Sequence, residues 1–290
     1  MEVNWRKHVF ASIAGLILAL LAMELGLRLL GMASERKQGR PIEAGNSRTI
    51  LCIGDSLTYG IGASYDTDYP GQLNVLFKKS GGNYTVLNRG IPGANTTIVL
   101  RRLPATLEKT RPSAVILVCG LSNYWNLENA WGLDNSPMKT RLLNQLFKLR
   151  LYRLYAWRAF PHRTTGPEPE PGQLDKAELA KTEKLNPQIE RWISHDYVEI
   201  AALCDKYGAK LFLANYPADN AYLRINKLIA RLAQELKAPL IDNAAHFLAL
   251  QKTDPDFDKK YLVQDGHGND LGYGQVAEST YRALSAHGFK

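Results

Sequence analysis

The sequence predicts an α/β fold built on a doubly wound, mainly parallel sheet of five strands. Two observations lead to this prediction. Short runs of apolar and β-branched residues recur along the chain, each with the length of one buried strand. Segments with helical spacing of apolar residues separate these runs, and such alternation is typical of a parallel sheet covered by helices on both faces. The predicted strands are 50–53, 84–88, 114–119, 210–216 and 239–242.

The helices between these strands are predicted from apolar spacing and from residues that begin or end helices. Pro70 stands near the first turn of a helix over 69–79, and Gly208 follows another helix in the position that favours a left-handed conformation. A helix from about 97 to 109 is expected to break or restart at Pro104. The remaining predicted helices cover about 136–160, 187–207, 219–237 and 274–287.

Composition and charge argue against some classes of protein. The chain has 290 residues and a net charge of +8. A basic balance suits nucleic acid, an anionic membrane surface or solubility alone, but the chain has neither zinc-finger spacing nor an arginine-rich tract, so no nucleic-acid partner is predicted. The three cysteines, Cys52, Cys119 and Cys204, lie in apolar segments without a CxxC pair and are expected to be core residues. A disulfide bond between Cys52 and Cys119 is an alternative if their strands are neighbours.

The N-terminal segment is predicted to anchor the protein in a membrane. After a flank of residues 1–8, residues 9–32 form a largely apolar stretch long enough to cross a bilayer, with Glu24 and Arg28 on one helix face near its end. We interpret this stretch as an uncleaved signal anchor, and the alternatives are a cleaved signal peptide and a buried core helix. The absence of cysteine from the segment excludes a lipoprotein signal. Basic residues flank both ends, and we expect the N-terminus inside and the domain outside the cytoplasm, on the periplasmic side.

A polar linker, residues 33–48, joins the membrane segment to a domain over 49–290. Within that domain, residues from about 125 to 185 interrupt the alternation of strands and helices. The predicted helix over 136–160 carries both apolar and basic side chains. That pattern fits a lid helix with a solvated basic face or a helix that lies on an anionic membrane surface.

Polar and small residues follow three of the predicted strands directly. Ser56, Gly90 and Asn123 each lie just past a strand end, and the ends of parallel strands meet at one edge of the sheet. Asp265 and His267 occupy a glycine-rich loop before the last helix. A serine nucleophile needs an imidazole to take its proton and a carboxylate to orient that imidazole. Ser56, His267 and Asp265 supply these groups, while Ser56 N–H, Gly90 N–H and the Asn123 amide are suitable oxyanion donors.

With these residues the chain resembles the SGNH hydrolases, the GDSL-type esterases and lipases. The resemblance rests on Gly54-Asp55-Ser56-Leu57, Gly90, Gly120 to Asn123, and Asp265 with His267. It spans about residue 49 to the C-terminus, except for the insertion at 125–185. The resemblance implies a flavodoxin-like sheet, hydrolysis of acyl esters, and no metal or other cofactor. It assigns Ser56 as nucleophile and oxyanion donor, Gly90 and Asn123 as further donors, His267 as base and Asp265 as the residue that orients it.

Two positions depart from the family pattern. The third block usually reads Gly-x-Asn-Asp, so either Asn123 acts one place later or Ser122 replaces the amide, with Asn126 as an outside candidate. The acid usually lies three residues before the histidine, where this chain has Gln264. Asp265, two residues before, is the interpretation we favour over Asp270, which opens the last helix.

The sequence therefore predicts a membrane-anchored serine esterase that acts outside the cytoplasm. Its substrate would be an acyl ester of an envelope glycan, a lipid or a small molecule, and no obligate protein partner is evident. Two other functions stay open. An O-acyltransferase would use an alcohol in place of water, and an inactive domain of the same fold would bind a partner in the cell envelope.

Overall fold

The computed structural model of the chain describes residues 5–38, 48–130, 142, 145–159, 176–217, 223–264 and 266–290. Five parallel strands form one sheet, as predicted, and their order in the sheet is β2-β1-β3-β4-β5. The strands are β1 (Arg48–Gly54), β2 (Tyr84–Gly90), β3 (Ala114–Val118), β4 (Lys210–Ala214) and β5 (Leu240–Ile241). After β1 the chain adds β2 on one side and β3 on the other. The carboxyl ends of β1 and β3 therefore border the crevice in which such sheets place their functional groups.

Helices cover both faces of the sheet. They are α1 (Trp5–Gln38), α2 (Ser56–Tyr59), α3 (Tyr69–Lys79), α4 (Thr96–Thr110), α5 (Arg150–Ala159), α6 (Lys176–Lys206), α7 (Leu223–Glu235), α8 (Asn243–Thr253), α9 (Phe257–Tyr261) and α10 (Asp270–Ala286). A short 3-10 helix, Leu121–Tyr124, follows β3. Helix α1 contains a stretch, Lys7–Leu30, that is long and apolar enough to cross a membrane. Signal sequences share this length and composition.

The central strands are buried along their whole apolar length. All five residues of β3 are buried, and so are residues 50–54 of β1. A strand covered by helices on both faces has no solvent side, so it reads as a continuous apolar run without polar alternation. Cys52 and Cys119 belong to this core, and they form no disulfide bond with each other although β1 and β3 are neighbours. Burial raises the pKa of both thiols, as is expected of inert core cysteines.

Several helices differ from the sequence-based expectation. Helix α4 continues through Pro104, where a break or restart was expected. Helix α6 begins at Lys176 and includes Pro187, the residue at which the sequence pattern placed its start. Helices α8 and α9 were not predicted. Proline removes only one hydrogen bond of its own helix, so packing along a long helix can outweigh that loss.

The predicted helix over 136–160 falls partly on residues outside the described ones. In its described part, residues 148 and 149 form a turn and a bend, and α5 begins at Arg150. The beginning of α5 coincides with an acceptor from elsewhere in the chain. The carboxylate of Glu24, on α1, accepts the backbone N–H groups of Arg150 and Leu151. A helix begins readily where its unpaired N–H groups find such an acceptor.

Candidate active site

The turn that carries Ser56 is held tightly against β3. Gly54, the last residue of β1, has a φ of +156°, and a Cβ at this position would lie 2.0 Å from the carbonyl oxygen of Val118. The next residue, Asp55, donates its N–H to the same carbonyl oxygen at 3.2 Å. Only glycine fits this approach of two backbones. Ser56 consequently begins α2 at a fixed place beside the end of the neighbouring strand.

Ser56 is hydrogen-bonded to a histidine 211 residues later in the chain. The distance between Ser56 Oγ and His267 Nε2 is 3.0 Å. The loop that carries His267 is closed on itself, because Val263 N–H donates to the carbonyl oxygen of His267 at 2.8 Å and Leu262 pairs with Gly268 in an antiparallel bridge. A nucleophile and a base at this distance meet the geometric requirement for proton transfer.

Asp265, the carboxylate predicted to orient His267, lies outside the described residues. The alternative carboxylate, Asp270, serves another loop. Its Oδ1 accepts the backbone N–H of Ser64 at 2.7 Å and the hydroxyl of Thr67. These bonds lower the pKa of Asp270 and fasten the first turn of α10 to the loop after α2. The described contacts of Asp270 thus explain it as a structural carboxylate.

Gly90 ends β2 beside the turn that carries Ser56, where Gly54 and Gly90 stand opposite each other in the sheet. Its N–H donates to Oδ1 of Asn88 at 2.9 Å, so this predicted oxyanion donor already has an acceptor. A Cβ on Gly90 would lie 2.1 Å from the backbone nitrogen of Tyr59. The glycine is therefore required by the close passage of α2, whatever part its N–H takes in chemistry.

The third predicted donor, Asn123, is fully buried and bonded to the beginning of α4. Its Oδ1 accepts the N–H of Thr96 at 3.0 Å, and its Nδ2 donates to Thr96 Oγ1 at 2.8 Å. The Thr96 hydroxyl in turn donates to the buried carboxylate of Asp196, on α6, at 2.6 Å. Asn126, the outside candidate, donates to the carbonyl oxygen of Gly93 at 2.7 Å. Both asparagines therefore join the loop after β3 to the loop after β2.

Sequence reasoning missed a buried pair formed by Asp55, the residue before Ser56, and Tyr216. Oδ2 of Asp55 accepts the hydroxyl of Tyr216, which follows β4, while its Oδ1 accepts Leu57 N–H at 3.1 Å. The same Tyr216 oxygen accepts Leu121 N–H at 3.1 Å, so it joins the ends of β1, β3 and β4. Burial raises the pKa of Asp55 to about 6, although its two donors and the nearby His267 oppose that rise. A tyrosine directly after a buried strand was the available signal, but nothing in the sequence pairs it with Asp55.

The buried Asp55 is expected to make stability fall as pH rises from about 4 to about 6. The carboxyl group releases its proton at its ordinary pKa, near 4, in the unfolded chain and near pH 6 in the folded chain. Between these values the folded state binds the extra proton, and its loss costs about 3 kcal/mol in all. We expect the difference in free energy of unfolding between the wild type and Asp55→Asn, from urea titrations at a series of pH values, to show this fall.

Tyr216→Phe checks the cause. The variant removes a donor that stabilises the ionised carboxylate, so the fall in stability should extend to higher pH. A difference between wild type and Asp55→Asn that stays constant from pH 4 to pH 7 would contradict the raised pKa of Asp55.

Among the described residues, no group of three or more His, Cys, Asp or Glu side chains is placed to hold a metal ion. What the site does contain is a serine and a histidine in hydrogen-bond contact at the carboxyl edge of a flavodoxin-like parallel sheet. Fold and site together define an SGNH-type ester hydrolase. The chain belongs to the GDSL-like lipase/acylhydrolase family, whose model matches residues 52–275.

One curated relative and two solved structures are similar to this chain. Esterase TesA of Pseudomonas aeruginosa is 30% identical over 74 residues, which cover 26% of this chain and 37% of TesA, so the match spans little more than a third of that relative. The esterase EstA from Pseudoalteromonas sp. superposes with a TM-score of 0.51 at 14% identity over 83% of this chain and 98% of EstA. LAE5, an α/β hydrolase from the metagenome of Lake Arreo, Spain, superposes with a TM-score of 0.53 at 15% identity over 83% of this chain and 96% of LAE5. At these identities the two structures show the fold alone.

Proposed function

We propose that this protein hydrolyses acyl esters through an acyl-enzyme formed on Ser56. The observation that carries the proposal is the 3.0 Å contact between Ser56 Oγ and His267 Nε2 at the border of β1 and β3. A serine hydroxyl is a weak nucleophile at neutral pH unless a neutral imidazole takes its proton. The contact with His267 therefore gives the Ser56 hydroxyl a proton acceptor, which a serine that only ends a strand does not have.

The proposed reaction has two halves. Ser56 Oγ attacks the ester carbonyl carbon while His267 takes the hydroxyl proton, and the resulting tetrahedral intermediate expels the alcohol, which receives that proton from His267. Water then attacks the acyl-enzyme, with His267 again taking a proton, and Ser56 regains its hydrogen as the carboxylic acid leaves. Asp265 is proposed to orient His267 and to stabilise its protonated form. No cofactor or metal takes part in this scheme.

The negative oxygen of the tetrahedral intermediate needs preorganised donors. We assign the N–H groups of Ser56 and Gly90 to this task, and Gly90 must exchange its bond to Asn88 Oδ1 for the oxyanion. Asn123 is the third proposed donor, and its Nδ2 has to leave Thr96 Oγ1 in the same way. Each exchange replaces one hydrogen bond by another to a charged oxygen, which is the stronger kind.

The setting of the reaction is also proposed. Helix α1 would anchor the protein, with the hydrolase domain outside the cytoplasm, and the ester would belong to an envelope glycan, a lipid or a small molecule. An acyltransferase would share the acyl-enzyme and replace water with an alcohol, so both reactions depend on Ser56.

A fluorophosphonate probe and a short-chain nitrophenyl ester test the proposal on the full chain in detergent. We expect the probe to label the wild type at Ser56 and the ester to be turned over. Ser56→Ala should lose both, while Ser80→Ala, at the end of α3, should keep both. Turnover that survives Ser56→Ala unchanged would overturn the serine mechanism. A wild type that is neither labelled nor active would favour a domain of this fold that only binds.

A further inference from the structure

The N-terminal helix α1 and the helical insertion are joined by a specific polar contact. Glu24 lies on α1, and its carboxylate accepts Arg150 N–H at 3.1 Å and Leu151 N–H at 2.9 Å. These N–H groups belong to the first turn of α5 and have no acceptor within that helix. A carboxylate from another part of the chain therefore caps α5, and the positive end of the helix dipole favours its charge.

Three further bonds strengthen this contact. Arg28 Nε lies 2.7 Å from Glu24 Oε1, which confirms the pairing expected from their spacing, and Arg28 Nη2 donates to the carbonyl oxygen of Lys148 at 3.2 Å. In the opposite direction, Arg150 Nη1 donates to the carbonyl oxygen of Leu27 at 2.9 Å. These contacts explain Glu24 and Arg28 near the end of the apolar stretch of α1, because charged residues in such helices are costly without a partner.

The same insertion helix is fastened to the loops around Ser56. Arg153, one turn after Arg150, forms a salt bridge of 3.2 Å with Glu128. The carbonyl oxygen of Glu128 accepts the side-chain amide of Asn95, which also caps α4. Glu128 lies five residues after Asn123, on the loop that follows β3. A continuous set of polar contacts therefore leads from α1 through α5 to the active-site border.

Residues 145–159, which we call the platform, combine exposed apolar and basic side chains. Leu149, Leu154 and Tyr155 are 42%, 48% and 63% exposed. Lys148 is also exposed, and Arg150 and Arg153 are half-buried. Leucine and tyrosine side chains beside arginine and lysine are typical of segments that lie in the headgroup region of an anionic bilayer.

The depth of the contact agrees with that location. Glu24 stands six residues before Leu30, the end of the apolar stretch, which is about 9 Å along a helix axis. This distance places Glu24, and the platform bonded to it, within the last third of the stretch. If α1 spans the bilayer, the platform is held at the level where hydrocarbon gives way to headgroups.

We propose that the platform lies in the headgroup region of the membrane, docked on α1 through Glu24, and that Ser56 acts on an ester borne by that membrane. The action of Ser56 on a membrane-borne ester rests on the proposed esterase function, whereas the position of the platform does not. The occupant of the exposed platform surface is the anionic phospholipid interface. Continuity with the apolar stretch of α1 and the basic side chains favour this occupant.

The position of the platform can be measured with the full chain in nanodiscs of phosphatidylcholine and phosphatidylglycerol. A fluorophore is attached at Tyr155→Cys or, as control, at Val75→Cys, an exposed apolar residue on α3. The native cysteines are buried, so labelling should occur at the new position. We expect nitroxide-labelled lipids to quench the probe at position 155 several-fold more than the probe at position 75. Equal quenching at the two positions would overturn the proposal. Cleavage that removes residues 1–33 from the mature chain would also overturn it, because Glu24 would be lost.

Variants of Glu24 test the junction and its consequence for substrate. Glu24→Leu removes the acceptor and should reduce quenching at position 155. Glu24→Gln keeps one acceptor oxygen, so its quenching should be intermediate between that of Glu24→Leu and that of the wild type. Hydrolysis of a vesicle-borne phospholipid ester should fall in Glu24→Leu, with turnover of a soluble nitrophenyl ester and fluorophosphonate labelling unchanged. Equal loss on both esters would overturn the membrane-borne substrate. Absence of all turnover in the wild type would instead refute the esterase function, and quenching would still decide the position of the platform.

Discussion

His267→Ala is expected to lower kcat for a soluble ester by about 10⁴-fold or more, the usual cost of removing the base from a serine nucleophile. The imidazole lies 3.0 Å from Ser56 Oγ, and without it the hydroxyl proton has no acceptor as the carbonyl carbon is attacked. Because the two residues act as one unit, Ser56→Ala added to His267→Ala should cost little more than either change alone. Initial rates with a nitrophenyl ester provide the measurement.

The matched control is His246→Ala. His246 lies on α8, where its ring contacts Gln275 and Arg282. Its removal should leave kcat within a few-fold of the wild type. A His267→Ala variant that keeps a tenth or more of wild-type kcat would show that another group takes the proton.

Gly90→Ala is expected to lower the free energy of unfolding by at least about 3 kcal/mol. The new Cβ would lie 2.1 Å from the backbone nitrogen of Tyr59, and a backbone atom cannot move aside as the end of a flexible side chain can. Either β2 or α2 must shift, and α2 carries Ser56. Urea unfolding of the full chain in detergent, followed by tryptophan fluorescence, measures the loss.

Gly208→Ala is the control for backbone conformation. Gly208 has a φ of +68°, but nothing lies within 4 Å of an added Cβ, so this change should cost about 1 kcal/mol. If Gly90→Ala were as mild as Gly208→Ala, the close approach of β2 and α2 would be wrong. Loss of folded protein on expression of Gly90→Ala alone would agree with the expected size of the effect.

Local patterns were sufficient to predict the sheet and the place of the site. A fully buried strand needs an apolar run such as 114–118, and the ends of parallel strands meet at one edge. The sequence therefore places Ser56 and His267, which are 211 residues apart, at the same edge of the sheet. Helix bounds were less predictable, because Pro104 and Pro187 lie inside helices that packing maintains.

Long-range polar contacts could not be predicted, because they carry no periodicity. The Asp55–Tyr216 pair joins residues 161 apart, and the Thr96–Asp196 bond joins residues 100 apart. Neither residue type nor spacing marks such partners, since many buried polar groups along a chain are equally suited to pair. The family resemblance assigned Asn123 to the oxyanion, but no sequence pattern indicated that both of its polar side-chain atoms would contact Thr96.

Local sequence patterns were enough to predict a hydrolase of the GDSL type on a flavodoxin-like parallel sheet, with a serine at the end of its first strand and an apolar N-terminal helix. Apolar periodicity and short motifs are local, so they can be read residue by residue. The packing of the whole chain was needed to show that Tyr216 meets Asp55 and that Glu24 meets the beginning of α5. A buried donor or acceptor must find a partner, but the fold alone decides which one lies within 3 Å.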